Sequence, residues 1–160
     1  MTTTPTLVTT EAQFFLGKRR DMSFAKNGTH HLWSSFMPRR SEIKTAVGME
    51  VYSIDRYPNG FFDAFDPRQE FERWATVKVS EDSPIPEGME LIKVPGGDYA
   101  VFHYQGRPSE SPQFFQWVFN SWIPEAGFKV DDRPHIAVMG EKYKGEDPTS
   151  EEDIYIPIIR

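Results

Sequence analysis

Three observations predict an α+β fold made of two pseudo-symmetric β-α-β-β modules with antiparallel sheets and a central ligand cavity. Strand-like and helix-like segments run β-α-β-β, pause at a proline-stiffened connection, and then run β-α-β-β again. Sliding the sequence by 86 residues superimposes the two sets at their element boundaries. The 160 residues suit one domain holding both sets. The expected layout is a polar tail over 1–7 and a single domain over 8–159, with modules of about 8–80 and 88–159.

Taken in order, residues 12–20 (AQFFLGKRR) read as a strand. Residues 29–37 (THHLWSSFM) read as a helix starting near Gly28 or Thr29 and ended or kinked by Pro38. MEVYSIDRY at 49–57 and FERWATVKVS at 71–80 alternate like half-buried strands, with a long Pro-, Gly-, Asp- and Phe-rich loop over 58–68 between them. After the 81–88 connection, GMELIKV at 88–94, a PGGD turn and YAVFHYQ at 99–105 resemble a hairpin. Residues 112–123 form a second helix, with Pro112 in its first turn and Pro124 ending it. Strands follow at 135–143 and 153–159. At the 86-residue offset Leu16 falls on Phe102 and Leu32 on Val118. Ser35-Phe36-Met37-Pro38 falls on Ser121-Trp122-Ile123-Pro124, and Asp55-Arg56-Tyr57 on Glu141-Lys142-Tyr143. Such a pair leaves a crevice at its symmetry axis, where a ligand fits.

Composition excludes several classes of function. The net charge is -6; residues 1–80 carry 11 basic and 9 acidic side chains and the remainder 7 and 15, so +2 stands against -8. No basic block suited to nonspecific nucleic-acid binding is present, and direct nucleic-acid contact is not expected. The acidic field favours cationic small molecules. With no cysteine there is neither a disulfide framework nor a thiolate metal site nor a cysteine nucleophile. The start lacks the basic and apolar regions of a signal peptide, and no apolar run approaches the roughly 20 residues of a membrane helix. A soluble, cytoplasmic protein without membrane contact is expected. No room remains ahead of the domain for a helix-turn-helix, so a role in transcription would need a separate regulator or protein partner.

No strong catalytic signature occurs. Adjacent His30 and His31 point about 100° apart on a helix and cannot share a metal, and His103 and His135 sit in apolar strands as structural histidines. The acidic residues Glu146, Asp147, Glu151, Glu152 and Asp153 read as a solvated face around a turn. If 135–143 is one strand, His135, Ala137, Met139, Glu141 and Tyr143 share a face, with Glu141 either a rim charge or the anchor of a cationic ligand. Aromatic residues make up 14% of the chain, a surplus that fits both a thick core and a pocket for flat molecules. Tyr52 and Trp74 lie on strands open to either reading.

Three ordered motifs, PEGMELIKVPGGDYAVFHYQG at 86–106, SWIPEAGF at 121–128 and SEEDIYIPI at 150–158, resemble the GyrI-like small-molecule-binding family, which includes effector-binding domains of multidrug regulators. The resemblance spans about residues 8–159. It implies an aromatic cavity at the pseudo-symmetry axis that binds lipophilic aromatic, often cationic, molecules without a metal or cofactor. Carried onto this chain, it implies ligand contacts from Tyr155, from Trp74 as its rough counterpart, from Tyr52 and from the position of Ala137; the shared strand face adds Met139, Glu141 and Tyr143 to the expected ligand-binding set. Relatives carry a Glu where this chain has Ala137; Glu141 is the nearest substitute, and Glu50 and Glu72 are further carboxylates for the role. Two alternatives come with the family. One is a metal-free hydrolase of cyclopropane-containing alkylating natural products, with Glu141 and Tyr143 as acid/base candidates. The other is a protein-interaction modulator with a gyrase-like partner.

Overall fold

The protein is described from a computed structural model covering residues 4–63 and 66–160. Of the loop predicted over 58–68, residues 64 and 65 lie outside the described residues, as do 1–3 of the predicted tail. Among the described residues nine strands form: β1 (Thr6–Thr10), β2 (Gln13–Met22), β3 (Val51–Arg56), β4 (Phe71–Val79), β5 (Glu90–Val94), β6 (Gly97–Gln105), β7 (Lys129–Val130), β8 (His135–Met139) and β9 (Glu151–Ile159). Every pairing is antiparallel, in the order β1-β6-β9-β8-β3-β4-β2-β5, with the short β7 attached to β9. The order is a palindrome of modules. Reading outward from the centre, β3-β4-β2-β5 mirrors β8-β9-β6-β1, and the pseudo-two-fold axis passes between β3 and β8.

Each module lays a helix on the outer face of its half-sheet. Helix α1 (Thr29–Phe36) buries Leu32 and Phe36 against Leu16, Ala75 and Val77. Helix α2 (Ser111–Trp117) buries Phe114 against Ala100, Phe102 and Ile154. Pro38 closes α1 as expected: the helix ends at Phe36 and tightens into a 3₁₀ turn through Glu42. The second helix runs further than its proline predicts. A π-helical segment over Val118–Trp122 loosens the ladder just before Pro124, whose missing N–H is thereby accommodated, and a last turn α3 (Ile123–Glu125) follows. Gly127, at φ +81°, then ends it, with Phe128 N–H donating to Ile123 O and Gly127 N–H to Pro124 O at 3.1 Å each.

The hairpin expected from 88–105 does not form. β5 pairs with β2 and β6 with β1 and β9, so β5 lies at one end of the sheet and β6 near the other. The strand over Thr6–Thr10 takes up residues that the sequence placed in and just after the tail. The two short links, Glu11-Ala12 and Pro95-Gly96, cross in contact. A Cβ on Gly96 would meet Thr10 O at 2.5 Å and the Glu11 carbonyl carbon at 2.8 Å. Because β1 leads directly into β2 and β5 into β6, this crossing draws the two ends of the sheet together and curls it. The inner face therefore buries itself without help from a helix: Phe15, Ile54, Trp74, Ile92, Val94, Tyr99 and Ile136 are all at most 3% exposed.

Candidate functional site

Register decides which side chains share the inner face. Trp74 pairs with Ile54, Ile54 with Ile136 and Ile136 with Tyr155, so one row crosses the sheet through the pseudo-two-fold axis with an aromatic ring at each end. Tyr52, Val138, Val101, Tyr99 and Phe15 have the same parity and join it. Phe15 packs on Tyr52 with centroids 5.0 Å apart, and Tyr99 on Tyr155 at 5.7 Å. Trp74 is sealed in, whereas Tyr52, Tyr155, Val101 and Val138 are partly exposed and form the open edge of this aromatic cluster.

The polar groups of the cluster are few. Burial pushes the phenols of Tyr52, Tyr99 and Tyr155 above their ordinary range, with the charge of Glu50 adding to the effect on Tyr52 and Asp153 to that on Tyr155. All three stay neutral donors at physiological pH. The Tyr99 Oη is fully buried and meets no partner at hydrogen-bond distance among the described residues, although the Arg133 guanidinium is near enough to oppose the rise that burial causes. Arg133 closes the back, its guanidinium carbon 4.6 Å from the centroid of the Tyr99 ring.

Carboxylates near the inner face differ in what they are free to do. Glu72 accepts from Trp74 Nε1 and from Arg56 Nη2 at 2.8 Å each, with Arg19 at 3.5 Å, so its charge is matched. Asp153 is held by His103 Nδ1 at 2.8 Å, and Glu151 by His103 Nε2 at 2.6 Å, which raises the His103 pKa. Glu50, partly buried at the start of β3 and close enough to act on Tyr52, has no ion pair among the described residues.

The residues singled out from sequence divide among three places. Tyr52, Trp74 and Tyr155 meet on the inner face. Ala137 and Met139 pair with Ser53 and Val51 and have the parity of the outer, helix-bearing face. Glu141 and Tyr143 are not on a strand at all: β8 stops at Met139, and Gly140 begins a turn closed by Tyr143 N–H donating to Gly140 O at 3.1 Å. Glu141 is exposed there, so the shared strand face drawn from 135–143 does not extend to it. Phe15 and Tyr99 are the additions; the YAVF motif and the aromatic FFLG run carried the signal, but only the curl of the sheet shows that they converge.

Between the helices, the outer face carries a separate polar cluster. Arg73 and Asp55 form a buried ion pair, Tyr57 Oη donates to Asp55 Oδ2 at 3.0 Å, and His135 packs edge-on against Tyr57 at 4.9 Å. Burial pushes His135 down to about 4. Glu152, on the same face of β9, is pushed up to about 7, mainly by burial, with Asp55 adding and Arg73 opposing. Phe62 stacks on Phe119 at 4.7 Å and covers this region, leaving a cleft of about 90 Å³. That is well short of the roughly 300 Å³ of a drug-sized site.

A doubled β-α-β-β unit, curled so that aromatic rings from both modules share its inner face, defines a class of α+β domains built around small molecules. The chain belongs to the GyrI-like small molecule binding domain family, which it matches over residues 3–159. Solved structures share the fold at low identity. The SAV2435 structure bound to tetraphenylphosphonium superimposes with a TM-score of 0.68 at 12% identity, covering 99% of this chain and 94% of that one. The C-terminal domain of EcmrR gives 0.70 at 11% identity, covering 100% and 99%. A hydrolase from Listeria innocua gives 0.59 at 13% identity, covering 98% and 92%. No curated protein matches the chain by sequence. Among the described residues no helix is long and apolar enough to cross a membrane.

Proposed function

We propose that the inner-face cluster binds flat, lipophilic aromatic molecules, cations included, with Tyr52 and Tyr155 clasping the ring system at its open edge. The observation that carries this reading is the row Trp74–Ile54–Ile136–Tyr155, which places aromatic rings symmetrically about an apolar floor. Burying a few hundred Å² of ligand at about 25 cal/mol/Å² gives several kcal/mol before association entropy is subtracted. Glu50 offers one negative charge without an ion pair among the described residues. Support also comes from the family and from a relative of the same fold whose ligand is a lipophilic aromatic cation.

Because Ile136 and Val138, and no carboxylate, join the cluster from β8, charge preference is set at the open edge and is mild. Titration of a cationic rhodamine and a neutral aromatic of similar shape tests the proposal. The two dissociation constants should lie within about tenfold, or about 1.4 kcal/mol. Glu50→Gln should weaken the cation alone, and Glu141→Gln should change neither. Absence of binding by both probes, or a cation preference that moves with Glu141 and not Glu50, overturns it. Mass spectrometry of the same mixtures with a cyclopropane-bearing alkylator reports whether turnover accompanies binding.

A further inference from the structure

Lys18 and Arg20, two cations without an ion pair among the described residues, lie away from the inner face, on the outer face of the first module. A cleft of about 190 Å³ opens between β2, α1 and the start of β5, lined by Lys18, Arg19, Arg20, His31, Leu32, Ser35, Gly88 and Glu90. Its volume equals roughly six water molecules at about 30 Å³ each. Lys18 and Arg20 are two apart on β2 and rise from the same face; His31 and Ser35 are four apart on α1 and descend toward them. Among the described residues the side chains of Lys18, Arg20 and Ser35 make no hydrogen bond or ion pair, and His31 touches only the ring of His30.

The neighbouring arginines are already paired. Arg19 is taken by Glu90 at 2.7 Å, and Arg39, beside Gly88, is taken by Glu42 at 2.7 Å. Lys18 lies near enough to Glu42 to help hold that carboxyl below its usual range. Arg19 also meets Glu72 at 3.5 Å, so Lys18 and Arg20 are the cations of this group without an ion pair among the described residues. Arg20 is placed by the backbone across from it. A Cβ on Gly28 would lie 2.6 Å from Arg20 Nε and 2.9 Å from Cδ, so glycine at 28 is what lets the guanidinium stem lie along the start of α1. A fork, an ammonium, an imidazole and a hydroxyl line one cleft from two elements, its one carboxylate, Glu90, being held by Arg19, and together they offer a donor set for a compact oxyanion.

We infer that this cleft is a second binding site, for a tetrahedral oxyanion of the phosphate type, free or carried on a small molecule. Arg20 supplies the fork, Lys18 the point charge, and Ser35 and His31 the flanking donors.

Sodium phosphate titrated into ¹⁵N-labelled protein at constant ionic strength, with chloride as the balancing anion, tests the site. Saturable amide shifts should cluster at residues 18–20 and 31–35. The paired substitution Lys18→Gln with Arg20→Gln should weaken phosphate at least about tenfold, and Ser35→Ala by a smaller factor. Acetate at the same ionic strength should give weaker shifts than phosphate, since one charge and two oxygens satisfy fewer of the donors. If the double variant does not fold, Arg20→Lys serves instead: it keeps the charge, loses the fork and should still weaken phosphate several-fold. Phosphate shifts no larger than those from chloride, or a folded variant that titrates like the parent, overturn the proposal.

Discussion

Arg73 and Asp55 face each other across adjacent strands in a bidentate pair, Nε to Oδ1 at 2.7 Å and Nη2 to Oδ2 at 2.8 Å. The remaining arm, Nη1, donates to Thr29 Oγ1 at 2.8 Å and so ties β4 to the first residue of α1. Both side chains are under a fifth exposed. Removing one partner leaves a buried charge without its match, which costs about 3–5 kcal/mol. Asp55→Asn should lower the urea-unfolding free energy by that order. The double variant Asp55→Leu with Arg73→Met should cost less than the sum of the two single variants. A loss below 1 kcal/mol for Asp55→Asn would show that the pair is not shielded from water.

Two groups on the same face pull stability in opposite directions with pH. Glu152 is raised from 4.5 to about 7, so its ionisation is unfavourable in the fold and stability falls as pH rises from about 4.5 to 7. His135 is lowered from 6.5 to about 4, so stability falls as pH drops from about 6.5 to 4. Each effect is worth up to about 3 kcal/mol, and where the windows overlap they offset one another. The native protein should therefore show a flat profile between about pH 4.5 and 6.5 in denaturant titrations. Glu152→Gln should become progressively more stable than the parent from pH 5 to 8. A constant difference across that range would contradict the buried acid.

Trp74 serves the core before it serves any ligand, being 3% exposed with its Nε1 donating to Glu72. Trp74→Ala should cost about 3–5 kcal/mol of stability, confounding any binding measurement. Trp74→Phe retains a ring and loses the hydrogen bond. It should keep most of the affinity for a neutral aromatic probe, within about fivefold, or about 1 kcal/mol, when both proteins are assayed fully folded.

Gly96→Ala should be among the most damaging single-methyl additions in the chain. The new Cβ would meet the backbone of Thr10, Glu11 and Ala12 at 2.5–3.0 Å, where no side chain can swing aside. A loss of several kcal/mol, read as a lowered thermal midpoint, is expected. Gly127→Ala meets nothing within 4 Å, and its only penalty is the positive φ; it should cost about 1 kcal/mol.

Local patterning made the modules legible. Alternation marked β3 and β4, prolines marked where each helix changes character, and the 86-residue offset located the repeat. What it did not carry was pairing between distant strands. TLVTT at the N-terminus has too little apolar contrast to read as a strand, and it becomes one because β6 offers an open edge. PGG between two apolar runs reads as a hairpin turn, yet each run finds a better partner elsewhere. The same gap governed the site. Tyr52, Trp74 and Tyr155 come together only through register, and Ala137 falls on the opposite face because parity on β8 is set by its pairing with β3. Glu141 was misplaced by a strand that runs on past Gly140 in pattern but not in backbone.

The crossing of the Glu11-Ala12 and Pro95-Gly96 links makes the halves reciprocal hostages. Each module lends an edge strand across the axis, β1 closing the half that begins some ninety residues later and β5 closing the half already completed. Neither half is whole when cut at the natural-looking boundary near residue 81. Separately expressed halves should remain open-edged and sticky, whereas mixing them should restore the fold. Damage at the first strand would likewise be felt at the far wall, where Val8 lies beside Tyr99. Assembly has to join positions as distant in sequence as Thr6 and Val101, which makes slow, all-or-none folding the natural behaviour of this clasp.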